Sequence, residues 1–338
     1  MRVIVVGAGI TGLVAARALA SAGVDVTVVE RAAAPGGRLS TLEVGSALVD
    51  AGAQFFTVRT PAFGARVDDW QRRGLVRVWS HGFGGDDGHP RYVATSGMGS
   101  LADDLARGID VRCSTMAFAV RPRTIDPRTI DPGDTSSGDT GSGDTGSGES
   151  PDGWTLVTDD GRRHETDALV LTTPLPQSYA LLADTGLSLD PRLVGTDYDR
   201  TIAWLAELDR PPAIPAPGAV QQPAEDVAIV ADGSAKGIGT TPAVALHAAP
   251  AWSERHWDDD RAVLAEHLRV LAGPWIADAV VVAERVVRWR FATPRRVDDD
   301  PCWVSPDRRI VLAGDAFAGP RVEGAHNSGL AAAHTLVG

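Results

Sequence analysis

Short unbroken apolar runs, separated by glycine turns and helical stretches, set the pattern of this chain. Val3-Ile4-Val5-Val6 is a continuous β-branched run, the signature of a strand buried on both faces. Leu13 to Ala20 is rich in small apolar residues and predicts a helix that ends at Gly23. Val24 to Val29 is a second apolar strand, stopped by Glu30. Ala168 to Leu171, before Thr172-Thr173-Pro174, and Arg309 to Leu312, before Ala313-Gly314-Asp315, repeat the buried-strand pattern. An alanine-rich helix is predicted from the segment after Arg321 to Leu336. Strands alternating with helices in this way predict an α/β unit built on a parallel sheet.

Other segments follow different periods. Phe63, Val67 and Trp70 fall on one face of a helix over Pro61 to Arg73. Strands are predicted at Leu75 to Trp79 and around Arg91-Tyr92-Val93, and a helix over Leu101 to Ala106. Val111 to Val120 alternates as one strand, and Trp154 to Val157 is its return partner in a hairpin. Between them, 121–153 repeats Thr-Ile-Asp-Pro and then Gly-Asp-Thr with almost no apolar side chains, so it is expected to be a solvated excursion. From Leu175 to about Pro301 the character changes. Strands at Ile202 to Leu208 and Val244 to His247, a helix over Asp259 to Ala272, and Trp204, Trp252, Trp257, Trp275 and Trp289 predict a smaller mixed α+β domain that covers a substrate.

The first unit carries recognisable chemistry. Gly7, Gly9 and Gly12 stand in the spacing G-x-G-x-x-G between a strand and a helix, with Glu30 at the end of the next strand. Gly7 permits the turn, Gly9 lets backbone approach a pyrophosphate, and Gly12 lets helix and strand pack closely. The helix N-terminus offers free N–H groups and partial positive charge to phosphate. Glu30 can accept hydrogen bonds from ribose hydroxyls. The glycines alone are weak evidence, but strand, glycines, helix, strand and acid in this order specify a dinucleotide site.

Composition narrows the classes without naming a reaction. The chain has 338 residues and a formal net charge of −12, with 43% hydrophobic and 22% charged residues. That is ordinary for a globular protein and wrong for a general nucleic-acid or anionic-membrane binder, which needs a basic face. Lys236 is the sole lysine. Cys113 and Cys302 are far apart, and the eight histidines show no metal-ligand spacing, so neither a disulfide nor a metal is expected. No signal peptide and no bilayer-length apolar run is visible, which makes a reducing cytoplasm the default expectation.

Several motifs together resemble the flavin amine oxidase superfamily, and within it the bacterial renalase-like proteins. They are Gly7 to Gly12, Arg31 with Gly36-Gly37-Arg38, Gly52-Ala53-Gln54-Phe55-Phe56-Thr57, Tyr92-Val93 with Gly97-Met98, Trp289-Arg290-Phe291-Ala292, and Gly314-Asp315 with Arg321 to Gly329. The resemblance spans most of the chain outside the low-complexity tract. It implies an α/β two-dinucleotide-binding-domain flavoprotein, with a Rossmann-like FAD domain formed by 1–60, 93–180 and 301–338. A smaller mixed α+β substrate domain would be formed by 61–92 and 181–300. FAD would be bound noncovalently by Gly7, Gly9, Ile10, Thr11, Gly12, Glu30, Arg31, Gly37 and Arg38. Ala53, Gln54, Phe55, Met116, Thr173, Gly314, Asp315, Arg321, Val322 and Ala325 would complete that set.

The implied reaction is hydride transfer to flavin N5 from a small reduced substrate, with electrons passed to O2. For renalase-like proteins the substrates are 2- and 6-dihydro isomers of NAD(P). No catalytic dyad or metal cluster is visible, and a dihydropyridine donor needs none. Candidates for the substrate side are His326, Gln54, Trp289 and Lys236. His326 stands where relatives more usually carry an apolar aromatic, and by analogy it faces the flavin. Lys236, in Ser234-Ala235-Lys236-Gly237, reads better as a solvated loop residue. Amine oxidation, desaturation of a larger apolar molecule, and a non-catalytic flavoprotein scaffold remain open.

Overall fold

A computed structural model of the chain describes residues 1–85, 87–123 and 153–338. Most of the Ser/Gly/Asp tract, 124–152, lies outside the described residues. Six strands form the main sheet, in the order Trp303–Val304, Ile310–Leu312, Ala168–Leu171, Arg2–Val6, Asp25–Val29, Asp110–Arg112. All neighbours run parallel except the outermost Trp303–Val304. Arg2–Val6 sits between two partners, which explains its unbroken apolar run. Val3 and Val5 enter the core on one face, and Ile4 and Val6 enter a different core on the other.

On the Val3/Val5 face the helices Ile10–Ser21 and Val322–Val337 pack against each other. Their approach depends on Gly329, where a Cβ would lie 2.4 Å from the Thr11 carbonyl oxygen. Gly12 does the same job inside the first unit, because its Cβ would lie 2.0 Å from the Gly7 carbonyl oxygen. Both ends of the chain are thereby brought to one end of the parallel sheet.

A second sheet is antiparallel and five-stranded, in the order Ala219–Ala224, Val227–Asp232, Ala243–Ala248, Tyr198–Leu208, Val281–Pro294. Its two faces alternate as the period of a strand requires. Ile202, Trp204 and Ala206 pack under the helix Arg261–Ile276. Ala203 and Leu205 face the hairpin of Thr41–Val44 and Ala47–Asp50 through Val44, Ala47 and Val49. This hairpin carries the chain from the glycine-rich unit onto the second sheet.

Two expectations are corrected by the packing. Val111 to Val120 is not one strand. Asp110–Arg112 joins the main sheet, and Ala117–Pro122 pairs with Trp154–Thr158 in a separate three-stranded sheet. The chain breaks at Ser114, whose φ of 52° no strand tolerates. The predicted hairpin itself is present, with Val120 opposite Leu156. Second, the packing does not divide at residue 61. Phe63, Val67 and Trp70 of the helix Pro61–Arg72 are buried in the core of the first unit. Trp70 Nε1 donates to Asp104 Oδ2 at 3.1 Å, and the Arg73 guanidinium grips both oxygens of the same carboxylate.

Candidate active site

The glycine turn brings helix Ile10–Ser21 to the wall of a cleft of about 540 Å³, with Gly9, Ile10 and Thr11 in the lining. Gly9 is the N-cap and offers no side chain to the first-turn N–H groups. A Cβ on Gly9 would meet nothing within 4 Å, so backbone is open to whatever enters. The helix Val322–Val337 ends on the same cleft, with Val322, Glu323 and Ala325 in the lining and no side-chain cap at Arg321. Two helix N-termini thus line one cleft and favour negative charge there, and at the second of them Glu323 of the first turn already supplies some.

Glu30 closes the glycine turn from behind. Its carboxylate accepts from Ala8 N and Ala32 N, both at 2.8 Å, and it is 8% exposed. Opposite, Arg38 joins three parts of the chain. Its Nη2 donates to Asp315 Oδ1 at 2.7 Å, and its Nη1 donates to Asp315 Oδ2 and to the carbonyls of Phe291 and Ala292. Burial alone would lower the Arg38 pKa, but the Asp315 charge and hydrogen bonds more than offset this and raise it. Arg38 and Asp315 both line the cleft.

The floor is the segment Gly52 to Phe55, held by a buried polar network. Lys236 Nζ donates to Asp50 Oδ2 and, at 3.1 Å, to Gln54 Oε1. Lys236 is therefore not a solvated loop residue: it and Asp50 are each 1% exposed. A sequence window shows Ser, Ala and Gly around the lysine but not the carboxylate 186 residues earlier. Gln54 Nε2 donates to the carbonyls of Asp50 at 2.7 Å and Gly52 at 3.0 Å, which fixes the amide. Trp289 Nε1 donates to Ala51 O at 2.9 Å and places its ring in the cleft wall. His247 lies 3.4 Å from Gln54 Nε2 and lines both the cleft and an adjoining hollow of about 500 Å³. The two cavities also share Gly52, Ala53, Phe55 and Gln221.

This geometry can be set beside known proteins. Residues 5–70 match the NAD(P)-binding Rossmann-like domain, and residues 76–337 match the flavin containing amine oxidoreductase domain. The chain belongs to the flavin-containing amine oxidoreductase family. Hydroxyneurosporene desaturase of Rubrivivax gelatinosus is 55% identical over 58 residues, which is 17% of this chain and 11% of the desaturase. Phytoene dehydrogenase of Streptomyces griseus is 52% identical over 123 residues, 35% of this chain and 22% of that protein. The chain thus spans a minor part of the curated relatives it matches. Two solved structures share the fold across nearly the whole chain, each at 14% identity. One is a protein from Exiguobacterium sp. 255-15 provisionally assigned as a protoporphyrinogen oxidase, with TM-score 0.69 over 99% of this chain and 97% of that one. The other is putrescine oxidase bound to putrescine, with TM-score 0.68 over 99% and 98%.

FAD is the cofactor of this family, and the cleft fits it. The open Gly9 backbone, the paired helix N-termini and the Arg38–Asp315 fork are what a pyrophosphate and a polyol require. Of the residues expected to bind it, Gly9, Ile10, Thr11, Arg38, Ala53 and Phe55 line the cleft, as do Asp315, Arg321, Val322 and Ala325. Gln54 lines the adjoining hollow. Gly7, Gly37 and Gly314 shape turns behind the lining, Gly12 lets the helix close on the Gly7 carbonyl, and Gly314 N donates to Ser328 Oγ at 2.9 Å. Arg31 is exposed beyond the second strand. Met116 is 44% exposed and holds Asp159 through its backbone N–H. Thr173 Oγ1 pairs with Ser178 Oγ at 2.8 Å, and it is Thr172 that lines the cleft.

His326 does not line the cleft. It shares the helix face of Val322, four residues earlier, but lies one turn further from the helix start, buried against the core of the first unit. Its ring lies 5.0 Å from that of Phe63, and Nδ1 is 3.1 Å from Asn327 Oδ1. The sequence reading also missed His247 and Gln221, whose strands meet the cleft only through the antiparallel sheet. Burial pushes His247 down to about 4, with the Lys236 charge adding to it, and burial pushes His326 down to about 4 as well. An unfolded chain protonates histidine near the ordinary 6.5. From pH 6.5 down to 4 the unfolded state therefore binds more protons, and stability falls as pH falls. Urea melts at about pH 7 and about pH 5 should show this loss. His247→Gln with His326→Phe should shrink it, and an undiminished loss would assign it to other groups.

Proposed function

We propose that this chain oxidises small, flat, already reduced rings, foremost the 2- and 6-dihydro isomers of NAD(P), to NAD(P)+, with O2 reduced to H2O2. When bound, FAD would supply the hydride acceptor at N5 and the route by which the electron pair reaches oxygen. The single observation that supports this substrate class is the character of the cleft wall. Phe55 and Trp289 offer aromatic faces to a planar ring, and Gln221 offers an amide that complements a carboxamide. Arg59 also lines the cleft, without a carboxylate partner among the described residues and outside the set expected to hold FAD, and suits a phosphate of a dinucleotide. A long hydrocarbon would leave the Arg59 guanidinium and the Gln221 amide unpaired, which opposes a desaturase reading.

The protein's own groups position and select. Gln54 is locked by Lys236 and two carbonyls, so it presents a fixed surface beside the ring site. His247, held neutral by burial, offers no charge to repel a cationic product. Gln222 adopts a φ of 48° where the strand Ala219–Ala224 breaks register, and this irregularity places its side chain in the adjoining hollow. Neither cysteine lines the cleft, which supports noncovalent cofactor binding. Among the described residues no helix is long and apolar enough to cross a membrane.

Anaerobic rapid mixing tests the proposal. The FAD-loaded protein should lose its visible flavin bands faster with 6-dihydroNAD or 2-dihydroNAD than with ordinary NADH or putrescine. Fast bleaching by an amine and none by the dihydronicotinamides would move the chain to amine oxidation. FAD firmly bound but reduced by neither would point to a scaffold.

A further inference from the structure

The fold brings two histidines onto one carboxylate at a place remote from the cleft. His256 follows the short helix Pro250–Arg255, Asp259 lies in the next turn, and His267 is in the second turn of helix Arg261–Ile276. One ligand atom from each lies within 4.8 Å of the others. His256 Nδ1 is 2.7 Å from Asp259 Oδ2, and His267 Nδ1 is 3.6 Å from the same oxygen. None of the three lines either cavity.

We propose that His256, Asp259 and His267 bind one divalent first-row transition ion of the zinc class, with water completing its coordination. Two imidazoles and one carboxylate suit Zn²⁺, Ni²⁺ or Cu²⁺, whereas Ca²⁺ and Mg²⁺ seek six or more oxygens. Bonds of about 2.1 Å in a tetrahedron put ligand atoms roughly 3.4 Å apart. The His267–Asp259 distance already matches this. The His256–Asp259 distance reaches it by a small side-chain rotation.

The groups behind the three residues hold them in place. The His256 ring lies against Trp252 with centroids 4.2 Å apart and planes 30° apart, and Trp252 is itself buried. Arg288 Nη2 donates to the Asp259 carbonyl at 2.5 Å, which ties the turn to strand Val281–Pro294. Asp260 accepts from Ala262 N at 2.8 Å and so fixes the entry to the helix that carries His267. The His256 ring and the Asp259 backbone are thus each held by a neighbour, and His267 is carried by a regular helix with a fixed entry. His267 is 46% exposed and Asp259 31%, which leaves a route for the ion and its water. Bound there, the ion would fasten the 256–260 turn to the helix that covers one face of the substrate sheet.

The test uses the full-length FAD-loaded protein, stripped with a chelator and titrated with ZnCl2 by calorimetry. The expected result is one Zn²⁺ per chain, slower amide exchange over 256–262, and zinc-edge X-ray absorption with imidazole scattering. His267→Asn and Asp259→Asn should each abolish the calorimetric binding while FAD content stays at the wild-type level. Should either variant lose FAD, the absorption spectrum of the wild-type zinc complex still decides. No zinc bound by the wild type, binding that survives His267→Asn, or a complex without imidazole scattering would each overturn the proposal.

Discussion

Replacing Asp50 by leucine is expected to cost about 3–5 kcal/mol of folding stability, because it leaves a buried ammonium without its anion. Lys236 and Asp50 are both 1% exposed, so water cannot take the place of the lost partner. Burial already lowers the Lys236 pKa, and the Asp50 charge opposes that lowering. The carboxylate also accepts from Thr41 Oγ1 at 2.7 Å and Met98 N at 2.8 Å, so the variant orphans a backbone N–H as well. The double variant Asp50→Leu with Lys236→Met should regain a large part of the loss, since an apolar pair carries no unpaired charge. Urea unfolding followed by tryptophan fluorescence measures both. If Asp50→Leu alone costs less than about 1 kcal/mol, the pair is solvated in solution and does not anchor the Gly52–Phe55 floor.

The same pair marks where the sequence stops being legible. Gly7 to Gly12, Glu30 and Gly314-Asp315 could be read because their chemistry is local: a turn, a helix start and a strand end occupy adjacent residues. Phe63, Val67 and Trp70 could be read as one helix face because their period is local too. What that period does not carry is which core receives the face, and the helix Pro61–Arg72 went to the first unit through Asp104. Lys236 and Asp50 meet across 186 residues, and no window holds both. His256 and His267 share Asp259 because the turn after Arg255 folds back on the following helix, a geometry that residue spacing does not encode. His326 was misplaced for a different reason. A motif fixes the position of a helix N-terminus, but whether a side chain one turn further along reaches the cleft depends on what packs there, and for His326 that is Phe63. Val111 to Val120 shows the converse failure, since an alternating pattern persists across a chain that changes sheet at Ser114.

Arg38→Met is expected to weaken FAD binding by about ten- to a hundredfold, which corresponds to the roughly 1.5–3 kcal/mol of a charged hydrogen bond. The guanidinium stands where the Gly36-Gly37 turn, the carbonyls of Phe291 and Ala292, and Asp315 converge on the cleft. Its loss removes the positive charge beside the open Gly9 backbone and leaves Asp315, whose side chain is 10% exposed, without a counter-charge. Lysine at this position would keep the charge but lose the fork, since one ammonium cannot span both Asp315 oxygens and the two carbonyls. Arg38→Lys should therefore bind FAD better than Arg38→Met and worse than the wild type. Asp315→Asn separates the two roles of the pair. It removes the anion and leaves the arginine, so it should lower the melting temperature of the apoprotein while retaining more FAD affinity than Arg38→Met. Fluorescence titration of apoprotein with FAD gives the affinities, and thermal melts of the same samples give the stabilities. Equal loss of affinity in all three variants, in step with their melting temperatures, would mean that Arg38 only holds the two domains together and that phosphate recognition rests on the helix N-termini alone.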